Sequence, residues 1–111
     1  MRRLKKKLVS WRATTLAKVA RVLQTPSFNK VVKKLKPNQK KDLDAAIKEL
    51  MVEPALGEQK KGDLSFLRVH KFKMCKQLTL LGYSFNDGTL TLELMALGSH
   101  ENFYRDIKHS I

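Results

Sequence analysis

The chain has 111 residues, of which 42% are hydrophobic, and a formal net charge of +13. This length suffices for one domain with one hydrophobic core, and the apolar share excludes a chain that is disordered throughout. No apolar run approaches the roughly 20 residues that a membrane-spanning helix needs, and no signal-type apolar stretch follows the basic start. The single cysteine, Cys75, excludes an internal disulfide and is typical of the reducing cytoplasm.

Positive charge is concentrated in the first part of the chain. Residues 1–41 hold fourteen Lys and Arg and no Asp or Glu, whereas residues 42–111 hold nine Lys and Arg and all ten acids. A field this basic attracts polyanions, whether nucleic acid, an acidic protein or anionic lipid. The alternative is that the lysines only keep a surface solvated. The histidines and the cysteine show no metal-ligand spacing, so the sequence predicts neither a metal site nor a cofactor.

Residues 1–18 are predicted to be a basic extension of a folded domain that spans residues 19–111. Leu4, Leu8 and Trp11 have helical spacing, so a short amphipathic helix is one alternative. The segment contains Arg, Ser and Thr and no acid, which makes a targeting presequence another. Because so short a helix is marginal alone in water, we interpret the segment as a frayed basic arm.

A strand and a helical hairpin come next. Residues 19–24 are typical of a strand, and Thr25 and Pro26 then supply a hydroxyl cap and a proline at the first helical position. Pro37 ends this helix and opens a second one, which stops at Pro54. Each helix has one apolar stripe, formed by Phe28, Val31, Val32 and Leu35 in the first and by Leu43, Ala46, Ile47, Leu50 and Met51 in the second. A one-sided stripe must be buried, so the hairpin must pack on another layer.

Three strand patterns supply that layer, at residues 66–73, 77–85 and 89–97. The turn Asn86-Asp87-Gly88 is typical of a hairpin, so we expect an antiparallel sheet with one face on the helices and one face open. Strict alternation in the last strand predicts two sets, with Leu90, Leu92, Leu94 and Ala96 in the core and Thr91, Glu93, Met95 and Leu97 on the open face.

The first of these strands carries four basic side chains. Alternation places Arg68 with His70 on one face and Lys71 with Lys73 on the other, so one of the two pairs should lie on the open face. The predicted fold class is α+β: a single small domain in which an N-terminal strand and a helical hairpin pack on an antiparallel sheet, followed by a short C-terminal helix.

The side chains best suited to catalysis or substrate binding follow the last strand, in the run L-G-S-H-E-N-F-Y-R-D-I-K from Leu97 to Lys108. In this run, only the side chain of His100 has an unperturbed pKa near neutrality, as a general acid or base requires. Tyr104 and Arg105 lie one helical turn further on and suit base stacking and phosphate binding. The structural alternatives stay open: His100 caps the last helix, Tyr104 packs, and Arg105 pairs with Glu101.

Basic residues would adjoin this motif if the sheet forms, namely Lys60, Lys61, Arg68, His70, Lys71 and Lys73. RNA backbone cleavage needs a base for the 2′-hydroxyl proton, cations for the charge on the phosphorane and an acid for the leaving 5′-oxygen. It needs no metal, and its nucleophile, the 2′-hydroxyl, is absent from DNA. Ser99 has no triad partner and Cys75 shows no sign of thiolate activation, so neither hydrolase chemistry is predicted.

Four segments resemble the RelE/ParE toxin superfamily of bacterial toxin–antitoxin modules. They read T-P-S-F-N-K-V-V-K-K-L, G-E-Q-K-K-G-D-L, R-V-H-K-F-K and L-G-S-H-E-N-F-Y-R-D-I-K, and the resemblance covers about residues 19–108. The resemblance implies a strand, a helical hairpin, an antiparallel sheet and a C-terminal helical segment. It also implies a cytoplasmic toxin that is neutralised by an antitoxin encoded beside it.

The branches of this superfamily differ in activity. The RelE and YafQ branches are mRNA interferases that cut in the ribosomal A site without metal, whereas the ParE branch inhibits DNA gyrase. Similarity to YafQ-like toxins implies that His100 is the catalytic histidine, and the strand motif implies substrate contacts at Arg68 and at either His70 or Lys71. YafQ-like toxins often have an arginine directly before L-G-S-H, where this chain has Ala96.

These observations give one prediction for the site and three for the function. The predicted catalytic residues are His100, Arg68 and Tyr104, and the predicted substrate-binding residues are Lys60, Lys61, His70, Lys71, Lys73 and Arg105. The first hypothesis is a ribosome-dependent mRNA endoribonuclease that inhibits translation, with mRNA, the ribosome and an acidic antitoxin as partners and no membrane. The second is a gyrase inhibitor, and the third is a general nucleic-acid or membrane-surface binder that works through residues 1–41.

Overall fold

The structure is a computed structural model, and it describes residues 7–9, 19–99 and 103–104. The elements in chain order are β1 (Lys7–Val9), β2 (Arg21–Gln24), α1 (Pro26–Lys33), α2 (Pro37–Val52), β3 (Glu58–Gln59), β4 (Arg68–Met74), β5 (Gln77–Asn86) and β6 (Thr91–Gly98). All six strands join one sheet in the order β1-β2-β6-β5-β4-β3. The pair β2–β6 is parallel and the other pairs are antiparallel. The predicted α+β class is confirmed.

The helical hairpin begins as the sequence predicts. The Phe28 N–H donates to Oγ1 of Thr25 at 3.2 Å, and Pro26 occupies the first helical position. The first helix ends at Lys33, earlier than the proline at position 37 requires. Leu35 therefore lies beyond the helix, although it still packs against the core.

The main core lies between the two helices and one face of the sheet. The whole predicted stripe of α2 is buried there, and Ile47 and Leu50 have no exposed surface. The strands contribute Leu81, Tyr83, Leu92, Leu94 and Leu97 from the other side. Among the described residues, no helix is long and apolar enough to cross a membrane.

Residues 7–9 form an edge strand. They pair antiparallel with β2 in a register that sets Lys7 opposite Gln24 and Val9 opposite Val22. The frayed-arm and amphipathic-helix interpretations are therefore wrong for these three residues. An open strand edge offers hydrogen-bond partners that a short isolated helix lacks. The rest of residues 1–18 lies outside the described residues, and the domain boundary at residue 19 stays a prediction.

A β-bulge in β6 changes which side chains face the core. Leu94 and Ala96 pair with consecutive residues of β5, which leaves Met95 without a partner. Leu94 faces the helices as predicted, but beyond the bulge Leu97 does so and Ala96 lies on the opposite face. The predicted faces of Ala96 and Leu97 are wrong because strict alternation does not anticipate an extra residue. Leu90 is also not in the core, since it lies in the preceding turn and is 43% exposed.

The two-residue turn between β4 and β5 has an unusual backbone. Cys75 has a φ of 52° and Lys76 a φ of 71°, the left-handed values of a type I′ hairpin turn. The Cys75 N–H donates to Oδ2 of Asp42 at 2.8 Å, which ties the hairpin to α2. Asparagine and glycine are the usual residues at such positions, so this turn is strained.

Replacing Lys76 with glycine should raise the free energy of unfolding by about 1 kcal/mol, because glycine adopts a positive φ without the steric cost of a Cβ atom. Urea unfolding measures the change. Lys76→Ala is the matched control, since it removes the same side chain but keeps Cβ. Equal stabilisation by both substitutions would show that the turn geometry is not the cause.

Candidate active site

The face of the sheet away from the helices, here called the open face, carries part of the predicted site. Val69 on β4 packs there in a small cluster with Leu67, Leu80, Ala96 and Phe103. Lys71 and Lys73 alternate with Val69 and are exposed, so they share its face. The open face is therefore cationic along β4.

The C-terminal chain returns onto the open face after β6. The Phe103 N–H donates to the carbonyl of Ser99 at 2.8 Å, and the Phe103 side chain is fully buried. A Cβ atom on Gly82 would lie 2.6 Å from Cζ of Phe103, so the ring rests directly on the backbone of β5. This contact fixes the chain three residues after His100, which itself lies outside the described residues.

Three polar side chains meet beside this contact. Nζ of Lys60 lies 3.5 Å from Oε1 of Glu58 and 5.6 Å from the ring centroid of Tyr104. The Tyr104 ring packs edge-on against Phe103, with 4.9 Å between the centroids. Hydrogen bonding to Tyr104 raises the pKa of Lys60, burial lowers it by less, and the charge of Glu58 raises it further, so the ammonium stays charged.

Arg68 and His70 lie on the face that packs against the helices. Nη1 of Arg68 donates to the carbonyls of Gly57 at 2.8 Å and of Ala55 at 3.3 Å. Nε2 of His70 lies 3.5 Å from Oε1 of Glu49 on α2 but is not aligned for a hydrogen bond. The structure thus brings Lys60 and Tyr104 together and places Lys71 and Lys73 on the same face, but it separates Arg68 and His70 from them.

The remaining predicted residues are not part of this cluster as described. Lys61 is exposed at the start of the 3-10 turn Gly62–Leu64. His100 and Arg105 lie outside the described residues, so their predicted roles stay predictions.

Sequence reasoning missed Tyr83, which holds the loop that leads to Lys60. Its hydroxyl donates to the carbonyl of Pro54 at 2.6 Å and accepts from the N–H of Gly57 at 2.8 Å. The side chain is fully buried, and Arg68, its partner across β4 and β5, binds the same loop. The sequence contained one indication of this role, a tyrosine at an inward position of a strand, because a buried phenol needs a hydrogen-bond partner.

Replacing Tyr83 with phenylalanine should lower the free energy of unfolding by about 2–3 kcal/mol, because a buried carbonyl and a buried N–H both lose their partner. Thermal or urea unfolding measures the loss. Tyr104→Phe removes the other phenol of the chain, which is only half-buried, and should cost less. An equal loss in the two variants would contradict the role assigned to Tyr83.

The Tyr83→Phe substitution should also change how the free energy of unfolding depends on pH. Burial raises the pKa of Tyr83 above its ordinary value of 10.0, and the Gly57 hydrogen bond and the Arg68 charge lower it by less. The unfolded chain ionises this phenol first, so its contribution to stability is complete below pH 10 and is lost as the pH rises toward the folded pKa. Unfolding measured below and above pH 10 should therefore show a smaller alkaline loss in Tyr83→Phe than in the unmodified protein.

Comparison with solved structures identifies the fold. A chain of the crystal structure of the intact E. coli RelBE toxin–antitoxin complex matches with a TM-score of 0.58 and 17% sequence identity, over 70% of this chain and 93% of that one. The fold is therefore RelE-like. A comparison with curated protein sequences gives no match.

A family profile extends the identification from fold to family. The profile is described as "ParE-like toxin of type II bacterial toxin-antitoxin system", and it matches residues 22–108. The chain belongs to this family and is a type II toxin. The predicted membership of the RelE/ParE superfamily is confirmed.

Proposed function

We propose that this toxin is a metal-independent, ribosome-dependent mRNA endoribonuclease that inhibits translation in the cytoplasm. The observation that best supports this proposal is the open face, where Lys60, Lys71 and Lys73 lie on the side of the sheet that also carries Tyr104. After β6 the chain packs Phe103 on this face, and His100 is the next residue after Ser99 in the sequence. A site of this kind combines cations for a phosphate with a side chain that exchanges protons near neutral pH.

In the proposed reaction, His100 takes the proton of the 2′-hydroxyl while the 2′-oxygen attacks the phosphorus. The bond from phosphorus to the 5′-oxygen breaks, that oxygen takes a proton from water, and the protonated His100 returns its proton to the solvent. The products carry a 2′,3′-cyclic phosphate and a 5′-hydroxyl. Lys71 and Lys73 stabilise the added charge on the phosphate oxygens, and Tyr104 contacts a base.

The placement of Arg68 suggests that it acts as a positioning residue. Its guanidinium binds the carbonyls of Ala55 and Gly57, and the same loop continues to Glu58 and Lys60. Of the two alternatives for a substrate contact on β4, the placement favours Lys71 over His70, which faces α2.

An acidic antitoxin is the proposed partner. The solved RelE-like neighbour is a toxin–antitoxin complex, and the open face here is cationic. It also exposes Leu78, at 56%, beside Lys73 on the neighbouring strand. An acidic segment with apolar side chains would complement this face, and opposite potentials would speed the encounter.

A translation extract tests the proposal. The purified toxin should produce cuts at defined positions in an mRNA that is being translated and leave the same mRNA intact without ribosomes. Lys71→Ala/Lys73→Ala should weaken cutting, whereas Lys48→Ala, an exposed position on α2, should not. Blocked translation with intact mRNA would overturn the proposal.

The second candidate is inhibition of DNA gyrase. Two observations favour it: the matching family is described as ParE-like, and the position directly before L-G-S-H holds Ala96. Ala96 is 7% exposed and packs with Phe103 on the open face, so this strand adds no cation there. A supercoiling assay discriminates, because inhibition of gyrase by a toxin that leaves translated mRNA intact would establish the second candidate.

A further inference from the structure

A dense group of lysines lies where α1 ends and α2 begins, and we call it the lysine corner. Its members are all exposed and are Lys30, Lys33, Lys34, Lys36, Lys40 and Lys41. The helices cover one face of the sheet and the candidate active site lies on the other. The lysine corner is therefore a separate surface, on the opposite side of the sheet from Tyr104.

The two carboxylates nearest in sequence, Asp42 and Asp44, can balance at most two of the six lysine charges. Asp42 forms no ion pair with a described lysine, and its Oδ2 instead accepts the Cys75 N–H at 2.8 Å. Asp44 lines a cavity of about 90 Å³ together with Lys40 and interacts with the charges of Lys40 and Lys48. Among the described residues, no carboxylate forms an ion pair with a lysine of α1.

The lysine corner also lacks an apolar centre. The large hydrophobic side chains that the described part of the chain exposes are Leu56, Phe66, Leu78 and Leu90, all outside the two helices. Protein–protein interfaces are depleted of lysine and depend on a buried apolar core. Contacts to a nucleic-acid backbone instead depend on lysine and arginine. The composition of the lysine corner thus favours nucleic acid over an acidic protein.

The helical geometry suits a row of phosphates. Lys30 and Lys33 have the i, i+3 spacing that puts side chains on one side of a helix, and Lys34, the residue directly after α1, keeps a helical backbone. We propose that the lysine corner binds the phosphate backbone of RNA and holds the toxin on its substrate assembly, and the choice of RNA over DNA rests on the proposed function.

Binding to a duplex that cannot be cleaved tests this surface independently of catalysis. The probes are a fully 2′-O-methylated RNA duplex, a DNA duplex of the same sequence and a polyglutamate peptide, each followed by fluorescence anisotropy at several salt concentrations. The test variant is Lys30→Gln/Lys34→Gln. The matched control is Lys48→Gln/Lys76→Gln, which removes the same charge at two exposed positions.

The test variant should bind the RNA duplex more weakly, and its plot of log Kd against log salt should be shallower by about 1–2, because fewer counterions are released. The control should keep the slope of the unmodified protein. Equal losses of RNA affinity in both variants, or no loss in either, would overturn the proposed binding surface. A loss of affinity for polyglutamate alone would overturn it as well. Equal affinity for the DNA duplex would overturn the assignment to RNA. A toxin that binds RNA through this corner but leaves mRNA intact would overturn the proposed function and leave the surface standing.

Discussion

Replacing Phe103 with alanine is expected to lower the free energy of unfolding by about 3–5 kcal/mol, a large part of the total stability of a small domain. The ring has no exposed surface and rests on Gly82, so its removal leaves a cavity that the flat strand backbone cannot fill. Urea unfolding measures the loss. Phe66→Ala is the matched control, because that ring is 42% exposed and should contribute little.

A double-mutant cycle checks the contact itself. Gly82→Ala alone should cost about 1–3 kcal/mol, because the new Cβ meets the Phe103 ring and forces it to move. In the Phe103→Ala background the same substitution should cost much less, since the ring is gone. Additive losses would show that Phe103 does not lie on Gly82 and would remove the anchor that the candidate site depends on.

The second large effect concerns His100. His100→Ala should reduce ribosome-dependent cutting of mRNA by about 10²–10⁴-fold, the usual contribution of a general acid or base. Primer extension of the cut transcript measures it. His109→Ala is the control, since it removes another histidine of the same C-terminal segment. Unchanged cutting by His100→Ala, or equal losses in the two variants, would contradict the role of His100.

The fold was largely predictable because its helices and long strands follow simple patterns. Thr25 and Pro26 mark the start of α1, and the complete stripe of α2 is buried as its 3.6-residue spacing requires. The wrong predictions concern places where the local structure depends on one extra residue in a strand or on a partner that is distant in the sequence. The bulge at Met95 reverses the faces of Ala96 and Leu97, and β1 depends on the open edge of β2, which its own three residues do not encode.

The sequence predicted which residues belong to the candidate site better than it predicted on which face of the sheet each of them lies. Alternation paired Arg68 with His70 and Lys71 with Lys73, but it does not say which pair faces the helices. That choice is made by long-range packing, in which Val69 joins the cluster around Phe103. Tyr83 was missed because its two partners, Pro54 and Gly57, are close only in the folded chain.

We propose that this toxin cuts RNA through attack by the 2′-hydroxyl. The most direct test uses translated mRNA in which the nucleotide on the 5′ side of a mapped cut carries a single 2′-deoxy substitution. The toxin should leave this one position intact, because the nucleophile is missing, while it still cuts other positions in the same transcript. Cutting that persists at the deoxynucleotide would contradict the mechanism.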